Sequence, residues 1–373
     1  SSDVCSSDLF EKLYIYGRNI MKKKILAAVM AATMVLALTA CNGSKDEPAA
    51  DNSATEAPAD DNAGDDADDN ASSGELIKVG VINNDPSESG YRTANDADLK
   101  AMFTEANGYE AKFSYSLKND EQITAAQQFI TEGVNYLLLS AADTAGWDGV
   151  LQSAKDAGVK VILFDRVVDA DESLYEASIV SDMDAEGERA VEWLLGQEKE
   201  GGLKVVHIQG HMGSAAQKGR SGALDAAAEE GKLEIVEQQT ADWSTETAME
   251  IVQQVISSGE EFNVIYAEND GMAQGAVEAL DAAGITHGVD GDVIVMGFDC
   301  NKWALKEVLE GRWNYDGQCN PFQASYIDEV IKTLESGGTI DEKTIILDEK
   351  GFDAETITEA DIEQYGIGSE EAE

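Results

Sequence analysis

The stretch VKVILFDRVVDADE, residues 159–172, decides how the rest of the chain is read. Val161, Ile162, Leu163 and Phe164 form a short apolar run with no polar face, which suits a strand buried on both sides. Asp165 and Arg166 follow at once, an acid and a base at the carboxyl end of that strand. In parallel α/β sheets ligands bind outside those ends. The stretch therefore runs from a core into a candidate site.

The same alternation recurs outward. Strand-like runs IKVGVIN (77–83), VNYLLLS (134–140), LKVVHIQG (203–210), FNVIYAEN (262–269) and DVIVMGFD (292–299) are separated by longer segments. Those segments, among them DEQITAAQQFITEG, WDGVLQSAKDAG, DAEGERAVEWLLGQ and GMAQGAVEALDAAG, are apolar at three-to-four spacing with Gly at or near the end. Strand and helix in turn, with nearly all-apolar strands, predict an α/β fold of parallel sheets covered on both faces. The units are too many for one ordinary sheet, so two lobes are expected, with SIVSDMD (178–184) as a crossing point.

The strand ends are polar as a set: NNDPSESGYR after the first, Asp165-Arg166 after the third, Asn269-Asp270 after the fifth and Asp299 after the sixth. Each alone reads as a helix cap, or, for Asp165 and Arg166, as a structural ion pair. Together they read as groups converging on one edge. No GxSxG, P-loop, HExxH or GxGxxG motif accompanies them, so no enzyme, cofactor or metal is expected. Asp, Asn and Gln exchanging hydrogen bonds, Arg donating in a fixed fork and aromatic faces together suit a neutral polyol.

Composition excludes a further class. With 73 acidic and 26 basic residues the formal charge is −47, which repels phosphates, so no nucleic acid partner is expected. Residues 1–20 show no clear periodicity and read as upstream or read-through sequence, with the start at Met21. MKKKILAAVMAATMVLALTAC then has the basic, apolar and small-residue regions of a secretory signal over 21–40. Residues 41–75, rich in Asp, Ala, Asn and Ser, read as an acidic disordered tether. Cys5 lies in the leader. Cys300 and Cys319 each follow a site candidate, which leaves a disulfide and two free thiols both open.

From about Leu76 to Leu347 the chain resembles periplasmic sugar-binding proteins of ABC importers, of the ribose/galactose type and nearest the galactofuranose-binding branch. SESGYR (87–92), GWDGVLQSAKDAGVKVILFDRVVD (146–169), YAENDGMAQGA (266–276) and GFD (297–299) carry the resemblance. It implies a type I periplasmic binding protein: two Rossmann-like lobes joined by three crossovers and closing on a ligand. The first lobe would comprise 76–181 plus 319–337 and the second 182–318 plus 338–365. LTAC resembles a lipobox, which implies lipidation of Cys41 and an anchor on the outer face of the cytoplasmic membrane. The implied partners are a monosaccharide and the importer's membrane subunits, and the implied state is a monomer.

The resemblance also assigns site roles. Glu88, Tyr91 and Arg92 match the opening contacts, with Tyr91 as a stacking face. Asp165 and Arg166 match an acid–base grip on adjacent ring hydroxyls, and Arg220 an arginine of the second lobe. Ala223 stands where the family has Gly, a departure that touches local helix packing. Trp243 matches an aromatic on the ring, Asn269 and Asp299 polar ligands, and Gln318 a Gln or Glu. Trp147 matches too but reads as packing. A sensor that signals to a membrane receptor, and an extracytoplasmic carbohydrate-active enzyme, are the rival readings.

Overall fold

The computed structural model describes residues 75–369. The expected leader, the signal segment, Cys41 and all but the last residue of the tether lie outside them. In chain order the elements are β1 (Ile77–Asn83), α1 (Gly90–Met102), β2 (Tyr109–Tyr115), α2 (Asn119–Glu132), β3 (Tyr136–Leu139), α3 (Asp148–Asp156), β4 (Lys160–Asp165) and β5 (Ala177–Val180). There follow α4 (Met183–Leu195), β6 (Lys204–Gln209), α5 (Ala215–Glu229), β7 (Glu234–Thr240), α6 (Thr245–Ser258), β8 (Val264–Ala267), α7 (Asp270–Ala283) and β9 (Ile294–Phe298). Last come α8 (Lys302–Leu309), β10 (Tyr315–Gly317), α9 (Ala324–Glu335), β11 (Thr344–Ile346), β12 (Gly351–Asp353) and α10 (Glu359–Tyr365).

The strands form two six-stranded sheets, ordered β11-β5-β4-β3-β1-β2 and β12-β10-β9-β8-β6-β7. All neighbours are parallel except β10 and β12. β4 is central, and its alternation fills both faces: Ile162 and Phe164 join one core cluster, Val161 and Leu163 the other. Burying four such side chains stabilises by roughly 1.5–3 kcal/mol each, which is why the run cannot sit at a surface. The second sheet is likewise packed on both faces.

The chain crosses between sheets three times, at 181–182, at 318–323 and at 347–350. The last crossing corrects one expected boundary. β11 lies beyond residue 337, yet it pairs with β5 in the first sheet, so residues 344–346 belong to the first lobe. A three-residue strand at a sheet edge, Thr344-Ile345-Ile346, gives too little periodicity to show which sheet it joins. No helix among the described residues is long and apolar enough to cross a membrane.

Candidate functional site

The site starts from a backbone turn. Asp165 closes β4 with φ 64°, and the Arg166 N–H turns back onto the Phe164 carbonyl at 2.6 Å. This γ-turn, costly for a residue other than glycine, lifts the acid out of the sheet into the space between the lobes. Asp165 Oδ2 accepts from Ser140 Oγ (2.6 Å) and pairs with Arg92 Nη2 (2.8 Å) and Arg166 Nε (3.5 Å). Oδ1 accepts from the Tyr91 hydroxyl at 2.9 Å.

Arg92 is held in turn. It donates to Asn83 Oδ1 (2.7 Å) and pairs with Glu88 (3.3 Å), one turn back on the Ser89-capped start of α1. Arg92 and Asp165 are almost wholly buried. Burial alone would raise the Asp165 carboxyl, but the charges of Arg92 and Arg166 outweigh it and hold the group below its ordinary value.

The second lobe supplies the opposite wall. Gly219 on α5 meets α4 at Gly187, where a Cβ on either would strike the other helix's backbone. That close approach seats Arg220 beside Glu186, with Nε to Oε2 at 2.8 Å. Arg220 also bonds the Glu268 carbonyl, approaches Asp299 Oδ1 at 3.4 Å and lies over the Phe298 ring. Ala223, the departure from Gly, packs half-buried against the second lobe's core, and the close contact falls on Gly219 instead.

Asp299 (φ 109°) and Trp243 (φ 69°) are also in the left-handed region. Burial pushes the Asp299 carboxyl well up; Arg220 offsets part of this, and Asp270 and Glu186 add to it. Asn269 caps α7, its Oδ1 accepting from Met272 N (2.8 Å), which leaves its amide N–H₂ to the cleft. The Trp243 ring lies flat on Gly210, where any Cβ would enter it, and the Arg166 guanidinium stands 5.9 Å above it.

One cleft between the sheets is lined by Glu88, Tyr91, Arg92, Asp165, Arg166, Arg220, Trp243, Asn269 and Asp299. Gln318 is not among its lining residues: its side-chain carbonyl accepts from Lys350 N (3.3 Å) and ties two crossovers together. Trp147 is fully buried in the first lobe, donating to the Asp143 carbonyl at 2.9 Å. Cys300 and Cys319 are buried free thiols, which closes the disulfide alternative, and Cys319 lines the cleft. Besides Cys319, three lining residues were not anticipated, Ser89, Met183 and Ala216. Met183 lies in SIVSDMD, the stretch read as a crossing point, and that position was the available signal. The acids behind the wall, Glu186 and Glu268, gave no such signal; Glu268 is hydrogen-bonded to His207 Nε2 (2.9 Å), and accepts from Ser221 Oγ (2.6 Å) and Gly210 N (2.7 Å).

Comparison with known proteins follows the same geometry. The fructose import binding protein FruE of Bifidobacterium longum is 29% identical over 347 residues, covering 91% of this chain and 96% of that protein. The galactofuranose-binding protein YtfQ of Escherichia coli is 28% identical over 263 residues, 69% and 82% of the two chains. A Mycobacterium smegmatis protein solved in complex with β-D-fucofuranose superposes with a TM-score of 0.70 at 30% identity, over 78% of this chain and 93% of that one. The periplasmic binding component of the Shewanella sp. ANA-3 arabinose ABC transporter, bound to α- and β-L-arabinofuranose, gives 0.70 at 28% identity, over 77% and 95%. The periplasmic binding protein domain matches residues 79–327, and the chain belongs to that family, whose members bind ligands rather than transform them.

Proposed function

We propose that the chain is an extracytoplasmic sugar receptor. It captures one monosaccharide, of furanose form, between its lobes and delivers it to an ABC importer, tethered to the membrane by a lipid on Cys41. The observation that carries this reading is the spare hydrogen-bonding capacity facing the cleft from both lobes. Trp243 Nε1 is buried without a hydrogen-bond partner on one side, and on the other Arg166 Nε makes no hydrogen bond beyond its long 3.5 Å ion-pair contact to Asp165. Leaving such donors unmade is costly, and a hydroxyl-rich ring would satisfy both.

Charge narrows the ligand. Three guanidinium groups, on Arg92, Arg166 and Arg220, face the carboxylates of Glu88, Asp165 and Glu186. No cation is left over to hold an acidic sugar, which favours a neutral one. The furanose ligands named for the M. smegmatis and Shewanella structures and for YtfQ support the ring form. Closure would follow from contacts made to both lobes at once.

The test is a thermal-shift panel of fructose, galactofuranose, fucose, arabinose, ribose and inositol. A ligand at about 100 times its Kd stabilises by about 2.7 kcal/mol, and one sugar should stand out. Asp165→Ala should then abolish calorimetric binding while the protein stays folded. Unchanged affinity in that variant would sink the site assignment.

A further inference from the structure

All three crossovers meet at one buried carboxyl. Glu349, on the third, accepts from Ser181 Oγ of the first (2.6 Å) and from Asn320 N of the second (2.7 Å), both through Oε1. Its Oε2 has no donor, and neither has Oε1 of Glu186, the α4 residue that holds Arg220 through Oε2. Carboxylate oxygens of Glu186 and Glu349 and the Cys319 sulfur lie within 4.8 Å of one another. Both acids are at least nine-tenths buried. Two adjacent buried carboxylates, each with an orphaned oxygen, cannot both stay ionised without a large repulsive cost. One proton between them removes the repulsion and satisfies both oxygens.

We propose that Glu349 and Glu186 share one proton, which ties the three crossovers to Arg220 and makes closure on the ligand weaken as pH rises. The chain of contacts runs from Glu349 through Glu186 to Arg220 and on to Asp299 in the cleft wall. Glu349 and Glu186 are thus positioning residues, acting on ligand only through Arg220.

Of the surrounding groups, Asp299 in the cleft wall is itself a carboxyl raised by burial, with Arg220 offsetting part of this and Glu186 adding to it. Arg220 of α5 is the fixed cation, and it faces Glu186 rather than Glu349. From the second crossover comes the Cys319 thiol, pushed up by burial and by both acids, and so neutral. Ser181 on the first offers only a hydroxyl, and Tyr315 of β10 a phenol that burial also keeps protonated. Burial, then the charge of Glu186, pushes the Glu349 carboxyl well above its ordinary range. The folded protein therefore binds this proton more tightly than the unfolded chain. Its contribution is complete at and below the ordinary carboxyl range and drains as pH climbs to the raised folded value. If opening the lobes, by rotating the crossovers, draws Glu349 away from Glu186, the open form holds the proton less well, and the affinity profile tests that link.

Only the effect on ligand rests on the sugar-receptor reading. The experiment uses the full chain and Glu349→Gln, which keeps the size, the acceptor for Ser181 and Asn320, and a donor toward Glu186, but does not titrate. Between pH 5 and 8.5 the wild-type melting temperature without ligand should fall relative to that of E349Q. The affinity of wild type for the sugar should drop by up to tenfold per pH unit over the titration, and that of E349Q, in which Asp299 still titrates, should fall less steeply. Parallel melting curves would overturn the shared proton, and parallel affinity profiles its link to closure. Should no sugar bind either protein, the melting curves still decide the proton while the receptor reading fails alone. One equivalent of zinc retained through dialysis by wild type and lost in E349Q would place a cation where the proton is assigned, and would also overturn it.

Discussion

Arg220→Met tests whether the second wall of the cleft is held by charge. The side chain is 2% exposed and makes three polar contacts, to Glu186 (2.8 Å), to the Glu268 carbonyl and to Asp299 (3.4 Å). Methionine keeps much of the stem that packs over Phe298, so the apolar loss is small. The dominant cost is the Glu186 carboxylate, buried and stripped of its counter-charge, which is about 3–5 kcal/mol. Asp299 adds little, because burial already drives it towards the neutral form. Adding Glu186→Gln removes the stranded charge. Since replacing a whole buried ion pair is often near neutral, the double variant should lose no more than about 2 kcal/mol. The assay is urea unfolding with the slope checked against wild type, closed as a double-mutant cycle. A loss below about 1 kcal/mol for R220M, or a double variant equal to the sum of the singles, would refute the argument.

Two further outcomes follow from the first wall and its support. Asp165 is held below its ordinary value, so its stabilisation is present above the unfolded value near 3.9 and is lost as pH falls through the folded one. The melting-temperature gap between wild type and Asp165→Asn should be widest above about pH 4 and shrink below it. A gap that does not change with pH would exclude the ion pairs with Arg92 and Arg166 as its source. Gly210→Ala should cost about 1–3 kcal/mol through overpacking and weaken sugar binding at least tenfold, because its Cβ displaces the Trp243 ring. Gly222→Ala, inside α5 with nothing within 4 Å of a Cβ, should instead gain about 0.5–1 kcal/mol. Equal behaviour of the two glycine variants in urea unfolding would show that the ring is not pinned there.

How far the sequence could be read depended on what each residue buries. The central strands β1, β3, β4, β6, β8 and β9 were legible because both faces are covered, and continuous apolar runs have few other uses. The edge strands β2 (YEAKFSY) and β7 (EIVEQQT) were not, because they are half exposed and charges break up their apolar residues, Glu110 and Lys112 in one and Glu234 and Glu237 in the other. The convergence of Asp165, Asn269 and Asp299 was legible for a topological reason: parallel strands all end on the same side. Arg220, inside α5, and Trp243, just past the edge strand β7 that was not legible, came only from the family resemblance. Nothing in the sequence marks the left-handed backbone at Asp165, Trp243 and Asp299, since glycine, the usual sign, is absent from all three.

The least legible groups were the buried acids. Among 73 acidic residues, Glu186 and Glu349 look like any solvated charge, and the excess of acid that excludes a polyanion partner also hides them. What selects them is not their own position but their neighbours. Gly187 and Gly219 let α4 and α5 approach closely enough to bring Arg220 onto Glu186, and the third crossover then brings Glu349 alongside. A carboxylate becomes informative in such a chain only where small residues or a crossover force it inward. In the opening stretch the same logic picks out Asp165, driven into the cleft by a strained turn, over Asp169 and Asp171, which remain in solvent.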